Sequence, residues 1–180
     1  GTDMERQDLA GEAYFMRAFS YFMLANLYGK PYHPATANED LCVPLNKEIG
    51  LSDKMMKRAT NAAVYAQMEE DINKAIQCFK AIGGEKTIFR PNLPSAYLLA
   101  SRIALFQEKY DVTILYCDSV FKVATQPLYK LQEKKDHYFF SLANKEILLS
   151  YGLTSLETHM KEDFRYTGNL VVSDDLLALY

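Results

Sequence analysis

Bond-making chemistry needs a nucleophile with a base, a pair of tuned carboxylates, or a metal held at fixed spacing. The chain presents none of these in a recognisable pattern. His33, His137 and His159 are far apart and none opens an HExxH motif. Cys42, Cys78 and Cys117 are odd in number, and no CxxC pair exists. That spacing implies neither a zinc site nor a disulfide framework, and three packed thiols are expected instead. Gly83-Gly84-Glu85-Lys86-Thr87 ends in Lys-Thr. It lacks the first glycine of a phosphate-cradling loop and follows a helical stretch rather than a strand. Glu69, Glu70 and Asp71 are consecutive, so on a helix their carboxylates diverge rather than pair for acid–base work.

Binding chemistry is better represented. Tyr32, His33 and Asn38 share one polar, proline-containing stretch. An aromatic face with nearby hydrogen-bonding groups is what a sugar requires. The alternative for Tyr32 is packing beneath the loop. Tyr138, Phe139 and Phe140 form a second aromatic cluster, expected as a core anchor. Arg17 sits inside an apolar stretch and needs a carboxylate or carbonyl partner, because a stranded charge is costly. Glu12 is off the i+4 position, so the partner is expected on another element.

These residues belong to a chain of 180, 49% hydrophobic and 24% charged. That composition excludes a disordered polymer and suffices for one buried core, with residues 1–180 expected as a single domain. The formal net charge is −3 and the basic residues form no stripe, which argues against a phosphate-neutralising nucleic-acid binder. No metal or other cofactor is called for. No apolar run is long enough to span a bilayer. The start, Gly1-Thr2-Asp3-Met4, is not a signal peptide, and Gly1-Thr2 reads as an appended pair.

Periodicity predicts an all-α fold. A first helix covers about Met4 to Tyr28 and is apolar on nearly every face after Ala13, which predicts a central position. Gly29 and Pro31 stop it. Residues Lys30 to Arg58 lack periodicity and carry Pro31, Pro34 and Pro44, so they read as one long loop. A loop of that length is more often functional than not. A second helix covers about Asn61 to Ile82, capped by Thr60 or Asn61, with Tyr65, Met68, Ile72, Ala75, Ile76 and Phe79 on one face. A third runs from about Ser95 to Gln107 behind Pro94, with Ala96, Leu99, Ala100, Ile103 and Phe106 as its stripe. A fourth runs from about Val112 to Ala124, with Val112, Leu115, Tyr116, Val120 and Phe121 expected inward. The short link between them predicts antiparallel neighbours. Residues 145–180 are less regular; Glu146 to Ser150 reads as a short strand or buried extended piece, and Ser173 caps a short final helix to Tyr180.

Paired helices with small residues between bulky ones resemble tetratricopeptide packing, although no clean 34-residue period is present. A broader resemblance rests on several segments in order. Gly11-Glu12-Ala13-Tyr14-Phe15-Met16-Arg17-Ala18-Phe19-Ser20-Tyr21-Phe22, followed by Leu27-Tyr28-Gly29-Lys30-Pro31-Tyr32, resembles the signature helix of the SusD/RagB family. Cys42-Val43-Pro44-Leu45, Arg58-Ala59-Thr60 with Val64-Tyr65 and Asp71-Ile72, and Arg90 with Ser95 to Ala100 are similar to its next blocks. Asn144 to Ser150 and Ser173 to Tyr180 resemble its later ones.

The resemblance implies tetratricopeptide-like antiparallel helix pairs with a long loop after the first helix. It makes Asp71 a candidate partner for Arg17. It also implies a non-enzymatic outer-membrane lipoprotein of Bacteroidetes, exposed at the cell surface. Such a protein captures glycans, or sometimes peptides, and delivers them to a SusC-like TonB-dependent transporter. The membrane contact would be a lipid anchor that this chain lacks, so the chain reads as an excerpt of a longer protein. The competing reading is a free-standing helical-repeat adaptor that holds a peptide.

Overall fold

The computed structural model describes residues 1–47, 55–84, 87–124 and 146–150. The chain divides into two compact units, 1–149 and 150–180. The description below concerns the first. Residues Tyr138, Phe139 and Phe140, the histidines His137 and His159, and the Ser173 to Tyr180 segment lie outside the described residues.

Among the described residues, four helices carry the first unit: α1 (Asp3–Tyr28), α2 (Asn61–Ile82), α3 (Leu93–Phe106) and α4 (Tyr110–Val123). Their starts follow from capping chemistry. Thr2 does not dangle but caps α1: its hydroxyl accepts from Glu5 N at 3.2 Å, and the Glu5 carboxylate accepts from Thr2 N at 2.8 Å. Thr60, not Asn61, caps α2 through its hydroxyl. Asn92 and Ser95 cap α3 reciprocally, with Pro94 inside the first turn. The Asn92 amide also donates to Leu148 O at 2.8 Å. That contact docks residues 147–149, which are half-buried and form no strand.

Helix α2 is the centre of the unit, packing on both α1 and α3. Its predicted face, Tyr65, Met68, Ile72, Ala75, Ile76 and Phe79, is wholly buried. The expectation that α1 would be central is not met. Its buried face is Gly11, Phe15, Ala18, Tyr21, Phe22 and Ala25, while Met16, Met23, Leu24 and Leu27 are exposed. Among the described elements α2 covers α1 most extensively, which fills one face. Contact between them is close at Gly11, where an added Cβ would lie 2.8 Å from the Phe79 ring and 2.9 Å from Cys78 Cβ. The α4 expectation is also corrected: Val120 is buried and Tyr116 half-buried, but Val112, Leu115 and Phe121 are exposed. That helix folds back mainly on α3, so a narrow strip suffices. Phe106 is exposed too, though its ring meets Phe22 edge-on at 5.0 Å.

The long loop is not structureless. Strand β1 (Leu41–Pro44) pairs antiparallel with β2 (Arg58–Thr60), Leu41 opposite Thr60 and Pro44 opposite Arg58, with an irregularity between. Four and three residues with a proline at one end are too few to show period-two alternation, which is why the sequence conceals them.

Arg17 finds Asp71. Its Nε donates to Oδ2 at 2.7 Å and its Nη2 to Oδ1 at 2.6 Å, a bidentate pair across α1 and α2. Gln67 Nε2 adds a third donor to Oδ1 at 2.9 Å. Hydrogen bonding to Asp71 raises the Arg17 pKa further above its ordinary value, with burial opposing it. The pair is asymmetric: the Asp71 side chain is 0% exposed and that of Arg17 is 35% exposed. Glu12, excluded as the Arg17 partner by spacing, instead receives Arg90 Nε at 2.8 Å and ties α1 to the turn before α3.

That asymmetry sets an expected ranking. Arg17→Met strands a fully buried carboxylate and is expected to cost about 3–5 kcal/mol in urea unfolding. Adding Asp71→Leu to it is expected to recover most of the loss; equal costs for single and double variants would contradict the assignment. Tyr65 supplies a second expectation. Burial, followed by the proximity of Cys42 and Tyr32, pushes its pKa from 10.0 up to about 12. Between those values the unfolded chain releases the proton and the folded chain keeps it. Stability from this group is therefore complete below pH 10 and declines as pH rises toward 12, by roughly 1–3 kcal/mol. Tyr65→Phe is expected to flatten that decline in alkaline denaturation; an unchanged slope would refute the assignment.

Candidate functional site

The three residues with sugar-binding chemistry lie where α1 hands the chain to the N-terminus of α2. A turn here must start without a side chain. At Gly29 an added Cβ would sit 2.6 Å from Ala25 O and 2.9 Å from Cys42 Sγ. Its φ is −89°, so glycine is required for space and not for backbone twist. The next carbonyl, of Lys30, accepts from Asn61 Nδ2 at 3.0 Å.

Residues 34–39 then form a turn anchored on His33 O, which accepts from Thr36 N at 3.0 Å and Ala37 N at 2.9 Å. The turn leans on the start of α2. Asn61 N donates to Asp40 O and Ala62 N to Ala37 O, each at 2.8 Å. A helix start leaves four N–H groups without internal partners. The loop takes two of them and the Thr60 hydroxyl a third, so the loop is itself part of the cap. Asp40 closes the turn from its other side, accepting from Lys30 Nζ at 2.5 Å and Thr36 Oγ1 at 2.6 Å. Those bonds, Lys30 first, hold its carboxyl below the usual range.

Arg58 clasps the whole assembly. Its Nε donates to Cys42 O, and its Nη2 donates to Leu41 O at 2.9 Å and Tyr28 O at 3.2 Å. One guanidinium thus gathers the end of α1 and the outer strand. Tyr21 and Asn46 add a reciprocal pair, the phenol donating to Asn46 O at 3.1 Å and accepting from Asn46 N at 2.8 Å. Beneath lies Cys42, fully buried, its thiol pushed up in pKa by burial and so kept protonated.

Within this frame the predicted residues are placed differently. Tyr32 is half-buried, its ring 4.7 Å from that of Tyr65 and tilted by 56°. Part of the ring therefore packs on Tyr65 of α2. His33 and Asn38 are exposed. His33 Nδ1 accepts from Ala35 N at 3.3 Å, which leaves Nε2 as the outward donor. The arrangement offers hydrogen bonds on a rigid turn beside a tyrosine edge. Among the described residues, no group of three His, Cys, Asp or Glu side chains could hold a metal, and no helix is long and apolar enough to cross a membrane. The clasping role of Arg58 and the loop-holding role of Asn61 were not apparent from sequence. Both flank the α2 cap, and Arg58 opens one of the segments that resemble the family.

Comparison with known proteins agrees with this frame. Residues 1–105 match the model of a SusD-like family described as starch-binding and associating with the outer membrane. No curated protein matches the chain. A SusD-like carbohydrate binding protein from Bacteroides vulgatus ATCC 8482 superposes with a TM-score of 0.73 at 21% identity, over 93% of this chain and 35% of that one. A SusD superfamily protein from Bacteroides thetaiotaomicron VPI-5482 superposes with a TM-score of 0.65 at 26% identity, over 72% and 28%. A laminarin binding SusD-like protein gives a TM-score of 0.55 at 24% identity, over 67% and 24%. The chain thus spans about a quarter to a third of these solved proteins. With the family model covering more than half of its residues and the four-helix frame shared with solved members, the chain belongs to the SusD-like family.

Proposed function

We propose that the chain is the helical scaffold of a glycan-capture protein, binding oligosaccharide without breaking bonds. The observation that carries this reading is the family match over residues 1–105, which spans α1, the clasped loop, α2 and nearly all of α3. The geometry is consistent with it. The turn at residues 34–39 is fixed by backbone bonds to a helix start, so little ordering cost would fall on ligand binding. Tyr32, His33 and Asn38 are the proposed contacts: a tyrosine edge for a sugar face, an imidazole N–H and a carboxamide for hydroxyls.

The wider role belongs to the same proposal. In the whole protein this scaffold would stand at the outer membrane, exposed at the cell surface and held by a lipid anchor. It would pass its ligand, a glycan or in some cases a peptide, to a SusC-like TonB-dependent transporter. No enzymatic activity is part of this reading. A helical-repeat adaptor for protein partners has one observation in its favour, the exposed apolar side chains Leu27 on α1 and Phe121 on α4. The family match favours glycan capture.

Affinity electrophoresis through gels containing laminarin or soluble starch tests the proposal. Retardation of the chain, with no new reducing ends in solution, is the expected result. Tyr32→Ala is expected to weaken retention roughly tenfold, the loss of about 1.4 kcal/mol of contact. Unretarded migration in both gels, or release of reducing sugar, would overturn it.

A further inference from the structure

Helix α1 carries a second stripe, opposite the face that packs on α2. Leu9, Ala13, Met16, Ser20, Met23 and Leu27 recur at steps of three and four, which sets them within an arc of about 100°. All six are exposed, Leu9 at 61% and Leu27 at 68%. No charged side chain interrupts them. Glu12 and Arg17 lie beyond the edges of the arc, engaged with Arg90 and Asp71. At 1.5 Å per residue the stripe runs about 27 Å. The exposed apolar residues of α4, Ile114, Leu115 and Phe121, differ in sharing their face with Asp111, Asp118 and Lys122.

The α1 stripe is complementary to itself in reverse. Counted from Ala18, Leu9 and Leu27 lie nine residues to either side, Ala13 and Met23 five, and Met16 and Ser20 two. An antiparallel copy of α1 therefore sets each methionine over a small residue and closes both ends with a leucine pair. Methionine suits that place, because its unbranched chain fills irregular gaps. A shift that set Met16 opposite Met23 would crowd the middle. A parallel copy would set each methionine on itself and leave gaps at Ala13 and Ser20. The charges at the ends agree: antiparallel order brings Lys30 near Glu5 of the second copy, whereas parallel order opposes Lys30 to Lys30.

We propose that this stripe is the seam of a weak dimer of the chain, two copies of α1 lying antiparallel about a two-fold axis level with Ala18. Such an interface is isologous, each copy offering the same patch, and the mirrored spacing of large and small residues is what it requires. Ala13 and Ser20 let the two axes approach toward the short end of the usual range of about 8–10 Å. A contact roughly 27 Å long and one helix wide, about 10 Å, falls well short of the ~800 Å² per partner of a standard interface. The dimer is therefore transient, with a Kd of about 50 μM. The inference is independent of the glycan reading.

Sedimentation velocity of the whole chain from about 5 to 500 μM tests the seam. A concentration-dependent passage from monomer to dimer is expected. Ala13→Met combined with Ser20→Met adds apolar area while filling both gaps. That double variant is expected to weaken dimerisation about tenfold with unchanged far-UV circular dichroism, since both positions face away from α2. Leu27→Glu is expected to weaken it by a similar factor. A monomer at every concentration would overturn the seam. Tighter association of the methionine double variant would also overturn it, because undirected apolar contact grows with area. A dimer indifferent to all three substitutions would overturn it in favour of contact through Ile114, Leu115 and Phe121 of α4.

Discussion

The Asp71 carboxylate is buried at the meeting of α1 and α2, and the structure tolerates it because Arg17 reaches across with two parallel hydrogen bonds and Gln67 adds a third. A charge in that position is a constraint rather than a source of net stability: desolvating both ions offsets most of their attraction. Its effect is to specify. A slip of α1 along α2 by one turn would move Arg17 about 5.4 Å and strand the carboxylate. Fixing that register also places Gly11 against Cys78 and Phe79, where only glycine fits, and Gly29 against Cys42. The Tyr14 ring, with Arg17 at 5.7 Å and Lys74 at 5.4 Å, extends the same contact.

The loop inherits its position from this register. Once the end of α1 and the start of α2 are fixed, the chain between them can satisfy the free N–H groups of α2 with its own carbonyls. Arg58 then gathers three carbonyls, those of Tyr28, Leu41 and Cys42. A loop built in this way presents a formed surface, so in the proposed glycan contact the ordering cost falls mainly on the sugar. The exposed side chains of Leu27, Leu115 and Phe121 belong to a chain covering only part of the length of its solved relatives.

Much of the frame was legible before the structure. Helix α2 is legible from about Asn61 to Ile82, because a single-face apolar stripe, a cap at Thr60 or Asn61 and a double-glycine stop all agree there. The need for Arg17 to find a distant carboxylate follows from one charge in an apolar run. Burial on α1 and α4 was misread because apolar content shows what can be buried, not which neighbour is present to bury it. Met23 on α1 and Leu115 on α4 are exposed. The β1–β2 pair escaped notice because two very short strands, one ending in proline, carry no periodic signal. The candidate site is legible as residue chemistry and not as geometry. Residue types suggested Tyr32, His33 and Asn38, but only coordinates show that Tyr32 turns one face to Tyr65 and that Arg58 and Asn61 hold the turn.

Native-state hydrogen exchange on the unmodified chain tests the central claim that α1, α2 and the intervening turn form one cooperative unit locked by the buried pair. The account predicts that amides around Ala18 on α1, around Ile72 on α2, and the loop-bonded amides of Asn61 and Ala62 exchange through one opening of common free energy. Exchange of the α1 amides at a free energy well below that of α2 would contradict it, because the two helices would then separate without the cost of exposing Asp71.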